Sequence, residues 1–174
     1  MSTYFSMSMF DNPALRYLAY AVVALLLSVV HMVFLKYVSV QSVTPDLLLL
    51  LVVWAALMEG QYVGMIVGFG AGLLFDMLTT DVLGSNALAK TLAGFMAGYF
   101  YREGMGLATI GSYRLLLIVT FTGFLHNLVY FFFYIKPMQT SFWEFFLVNG
   151  VATTLYTTVV ATFPMLLVNR RNEW

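Results

Sequence analysis

The chain has 174 residues, of which 61% are hydrophobic, 17% aromatic and only 9% charged. Soluble domains carry about 25% charged residues, so this surface is built for lipid rather than water. Eight basic and eight acidic side chains cancel, leaving no basic field for nucleic acid, and zero cysteines exclude disulfides, thiolate metal sites and a cysteine nucleophile.

A membrane-crossing helix needs about 20 apolar residues, somewhat fewer where the helix is short or the bilayer thins. Six stretches qualify, at about 14–35, 45–58, 61–79, 86–101, 113–135 and 142–168. The sequence therefore predicts an all-α, polytopic membrane helix bundle with six transmembrane helices, forming a single integral membrane domain over 1–174. Met1 to Asp11 is a short polar-aromatic segment suited to the membrane interface. The apolar run from Leu15 to Leu35 is too long for the core of a signal peptide and is followed by no small-x-small cleavage site. It is expected to be a retained first span.

Asn12-Pro13 starts that span with a capping side chain and a proline at the first helical position. Thr44-Pro45 repeats the device for the second span, with Asp46 in the first turn, at the positive end of the helix dipole. The third span carries Gly60, Gly64, Gly68 and Gly72 at four-residue steps, and the next step is Asp76. Residues four apart share one ridge of a helix, so this row is a track of missing side chains along which another backbone can approach closely. The neighbour is either a helix of the same chain or a partner's helix. Gly68 to Gly72 also resembles a nucleotide-binding loop but lacks the strand that must precede one.

The fourth span bears a second ridge, Lys90, Gly94, Gly98 and Arg102. Asp76 and Asp81 flank the end of span three and Lys90 lies in the first turn of span four, so an ion pair of Lys90 with Asp76 or Asp81 would lock this hairpin. The alternative is that Asp76 reaches interfacial water and marks a boundary. No further acids continue the row, which argues against an ion pathway.

Spans five and six carry a polar seam. Thr122, His126, Tyr130 and Tyr134 share a ridge beside Asn127, and Asn149, Thr153 and Thr157 share another. A rise of about 1.5 Å per residue puts His126 and Asn127 at the depth of Asn149 to Thr153. Such a seam serves as interhelical hydrogen bonding or lines a small-molecule pocket. Ser141 to Glu144 fits a capping box for the last span, which Pro164 should kink.

Catalytic patterns are missing. His31 and His126 fall on different helices without metal-ligand spacing, and Ser85 and Ser112 follow glycines at helix starts, where serine caps. With six spans the two chain ends share one side. That side holds Arg16, Arg102, Arg114, Arg170 and Arg171, against Lys36, Lys90 and Lys136 on the other, which predicts cytoplasmic termini.

The middle of the chain resembles the MreD family of bacterial rod shape-determining membrane proteins. The resemblance rests on Pro45-Asp46-Leu47-Leu48-Leu49, the Glu59-Gly60 turn, the run from Gly68 through Gly72 to Asp76, the Leu83-Gly84-Ser85-Asn86 turn and the Ala93-Gly94 to Gly98-Tyr99 run. It implies a non-enzymatic component of the lateral cell-wall elongation machinery in the bacterial inner (cytoplasmic) membrane, without cofactor. Implied partners are MreC, RodA with its class B penicillin-binding protein, MreB directly or through MreC, and membrane lipid. The family is also similar in its six-helix layout to the substrate-binding components of energy-coupling vitamin transporters. That likeness implies an alternative role in small-molecule binding, although Ala24 and Ser28 match those components' coupling motif only weakly.

Overall fold

Capping chemistry fixes where the helices begin. In the computed structural model, which describes residues 12–34, 37, 39, 43–79, 82–134, 143 and 146–171, helix α1 runs Pro13–Val33. Asn12 caps it as expected, its Oδ1 accepting the Ala14 N–H at 3.0 Å. Helix α2, Leu47–Glu59, starts two residues later than Thr44-Pro45 suggests. Asp46 itself is the cap, its Oδ1 accepting the Leu49 N–H at 2.9 Å. A carboxylate just outside a helix satisfies an orphan N–H three residues on, and this moves Pro45 outside the helix.

Gly60, at φ 94°, ends α2 and opens α3, Gln61–Leu78. Few side chains tolerate that conformation, and it lets two helices meet without a linker. Gly84, at φ 93°, plays the same part before α4, Ser85–Gly98. A five-residue helix that the hydrophobic pattern does not reveal, α5 (Gly106–Ile110), precedes α6, Arg114–Tyr134. A π-helical turn, Phe146–Gly150, leads into α7, Val151–Arg171, which contains Pro164. Most of the Ser141–Glu144 box lies outside the described residues, as does Asp81.

The described residues are helical and contain no strand. Among the described residues four helices are long and apolar enough to cross a membrane: α1, α3, α6, and the π turn with α7. Helices α2 and α4 have 13 and 14 residues, about 20 Å at 1.5 Å per residue, against a hydrocarbon core of about 30 Å. Their surroundings explain how they stay short. Helix α2 is apolar on all sides, the pattern of a fully enclosed helix, and Leu48, Val52, Val53, Ala55 and Ala56 have no exposed surface. It is the centre of the bundle. Val53 and Leu57 pack with Ile110 of α5, Leu115 and Val119 of α6 and Ala161 of α7. Leu48 and Val52 pack with Ala24 of α1 and with Ala71 and Phe75 of α3.

Candidate functional site

The glycine track of α3 is spent inside the chain. A Cβ at Gly64 would sit 2.6 Å from Ala56 Cβ of α2 and 2.9 Å from the Gly94 carbonyl oxygen of α4. One at Gly68 would overlap the Lys90 carbonyl, and one at Gly72 would lie 2.5 Å from Ala87 Cα. From the other side, Gly94 faces the Gly64 backbone and Gly98 faces Gln61. The two ridges therefore mesh antiparallel, backbone on backbone, leaving no room for a partner's helix on that face. Gly70, off the ridge, has open space above it.

Asp76 closes the hairpin, but not by an ion pair. Its Oδ2 accepts the N–H groups of Gly84 at 2.9 Å and Ala87 at 3.1 Å, and its Oδ1 accepts that of Asn86 at 3.2 Å. These are orphan donors at the start of α4, and neither Gly84 nor Ser85 provides a side-chain cap. A carboxylate from the preceding helix caps α4 instead, favoured by the positive end of its dipole. The expected pairing of Lys90 with Asp76 is thereby corrected, since the backbone already occupies Asp76.

Lys90 turns the other way, into the bundle. Its side chain is 1% exposed, and Nζ donates to Asp46 Oδ2 at 2.6 Å and to Asn86 Oδ1 at 3.1 Å. His126 Nε2 lies 3.2 Å from the same nitrogen. An ammonium has three protons and no acceptor, so His126 receives the third at Nε2 and keeps its own proton on Nδ1. That proton faces Asn127 Oδ1 at 3.4 Å. The Asn127 amide donates in turn to the Gly150 carbonyl at 3.0 Å and to Thr154 Oγ1 at 2.9 Å. A final bond returns to the start, with the Asp46 N–H donating to Thr157 Oγ1 at 2.9 Å. This loop joins α2, α4, α6 and α7 around one buried ion pair.

Asn127 thus bonds from α6 to Gly150 and Thr154, and the network runs on into α2 and α4. Beside it is a pocket of about 350 Å³ at the end of the bundle where α1 and α3 finish and α2 and α4 begin. His31, Asp46, Asn86 and His126 line it, with Asn127, Tyr130, Asn149 and Thr153 across from them. Thr157 belongs to the network rather than the pocket. Sequence reasoning missed His31 here, and it missed the Arg16–Glu59 ion pair, 2.9 Å, which ties α1 to the far end of α2.

Among known protein families, one match covers residues 10–168, nearly the whole chain. The chain belongs to the rod shape-determining protein MreD family. No curated protein and no solved structure matches it. Membership in the MreD family suggests a role in rod shape determination, and the four long apolar helices agree with the family's membrane association. Within this MreD-family fold the family-motif and packing residues of the sequence divide into two groups. Gly60, Gly64, Gly68, Gly72, Asp76, Gly84, Gly94 and Gly98 build the α3–α4 hairpin. Asp46 and Asn86 meet Lys90 at the buried network, and Pro45 precedes the Asp46 cap.

Proposed function

We propose that this chain is a non-enzymatic, six-span scaffold of the lateral cell-wall elongation machinery, in the bacterial inner membrane with both termini cytoplasmic. It docks the membrane anchor of MreC and through it regulates RodA, the class B penicillin-binding protein and MreB. The observation that carries the docking step is the lateral cleft between α1 and α3. It encloses about 660 Å³ between Tyr17, Ala21 and Ala24 on one side and Val67, Gly70 and Ala71 on the other. Helix α1 is the least covered of the long helices, with Leu18 62% and Leu26 57% exposed. Small residues facing an open groove suit the approach of another apolar helix, which packs in lipid by close van der Waals contact. The α3 ridge is filled by α4, so the docking surface is the opposite flank of α3.

Photo-crosslinkers at Leu25 and Ile66, which line the cleft, should capture MreC in cells, whereas one at Leu117, exposed on α6, should not. Gly70→Trp should abolish rod shape while leaving the protein folded and abundant. Capture of no elongation protein from either cleft position would refute docking there.

A further inference from the structure

We propose that the polar pocket at the α2–α4 end of the bundle binds a small, uncharged, planar molecule carrying a hydrogen-bonding group. The volume is of ligand size, since small-molecule sites begin at about 300 Å³. The charge preference follows from the wall. Asp46 is the acidic residue lining the pocket, and both its oxygens are engaged, Oδ1 by the Leu49 N–H and Oδ2 by Lys90. The Lys90 ammonium spends its protons on Asp46, Asn86 and His126. Among the described residues that line the pocket a charged ligand would find no free counter-charge to offset the loss of its water, whereas a neutral one pays no such cost.

The hydrogen-bonding and shape preferences come from two further observations. His31 lines the pocket, and its Nδ1 is buried without a hydrogen-bond partner among the described residues. An orphan ring nitrogen at a pocket wall is a place for one ligand hydrogen bond. Its ring meets Phe75 in a T-shaped contact, centroids 4.8 Å apart, which braces the imidazole. Phe75, Tyr130 and Phe131 supply aromatic walls, and Tyr130 lies parallel to His126, 5° between planes, at 6.0 Å. Flat walls favour a flat occupant. The site is separate from the α1–α3 cleft and does not rest on the scaffold reading, so capture at the cleft and binding at the pocket fail independently.

Three probes of one shape and different charge test this: benzamide, benzoate and benzamidinium. Each is titrated by saturation-transfer NMR against the purified full chain in lipid nanodiscs, alongside empty nanodiscs. Benzamide should bind saturably to the protein, and neither charged probe should displace it. His31→Phe keeps the ring contact with Phe75 but removes the nitrogen, and should weaken benzamide roughly tenfold, the scale of one hydrogen bond. Thr153→Trp fills the pocket and should abolish binding. Binding of a charged probe as tight as that of benzamide overturns the proposal. So does a benzamide signal that rises without saturation as in empty nanodiscs, or one that is unchanged in both variants. If either variant fails to fold, as read by its melting temperature, the three-probe comparison on the native chain still decides.

Discussion

Lys90 is the residue on which the network turns, because every proton of its ammonium has a protein acceptor and none is left for water. Removing one member of a buried pair strands the other charge, at a cost of about 3–5 kcal/mol. Lys90→Met should therefore lower the melting temperature sharply in detergent, and the double variant with Asp46→Asn should recover much of the loss. The swap Asp76→Lys with Lys90→Asp should rescue nothing, since Asp76 holds backbone donors rather than Lys90. Asp76→Ala should cost about 2 kcal/mol, the upper range for a lost helix cap, with Asp76→Asn in between. Asp76 could be picked out of the sequence as a costly acid in an apolar setting and Asp46 as a first-turn residue suited to the helix dipole, but their partners could not. Asp46 lies 44 residues before Lys90, and no local spacing encodes a contact between α2 and α4 with a whole helix between them in the chain. The depth of Asn127 was more legible, and it bonds Gly150 and Thr154, because consecutive antiparallel helices rise at the same rate per residue.

At the scale of elements, the hairpin of α3 and α4 was the most legible part of the fold. A four-residue glycine period has one physical use in a membrane helix, close approach, and two such ridges on adjacent helices answer each other. What the period cannot tell is which glycines are needed and which are spare. Gly68 meets the Lys90 carbonyl directly, whereas Gly70 faces open space. Gly68→Ala should destabilise by about 1–3 kcal/mol through overpacking. Gly70→Ala should be tolerated, and the helix should gain about 0.5–1 kcal/mol from reduced backbone freedom. Thermal unfolding of the two variants in one detergent checks the pair. The start of α2 was read two residues early, because proline and aspartate both signal a helix start and only the bond from Leu49 to Asp46 decides between them. Helix α5 carried no usable signal, since five residues are too few to show a period.

The whole molecule places its charges unevenly, and the buried network sharpens that asymmetry. Counted along the sequence, Lys36, Lys90 and Lys136 oppose the five arginines on the side of the termini. Lys90 is paired inside the bundle and is not a loop charge. Removing it leaves Lys36 and Lys136, two against five. Translocation is governed by lysine and arginine flanking the spans, so the argument for cytoplasmic termini strengthens once the interior lysine is set aside. The chain itself supplies the means of testing this, because it has no native cysteine. In the proposed six-span topology Glu103, exposed between α4 and α5, falls on the side of the termini, and Val82, 52% exposed between α3 and α4, falls on the other. In intact spheroplasts a membrane-impermeant maleimide should label Val82→Cys and leave Glu103→Cys unmodified until the membrane is opened. The reverse pattern would invert the bundle and put the polar pocket on the cytoplasmic side, and labelling of both positions in intact cells would break the six-span topology itself, because α4 would then fail to separate them.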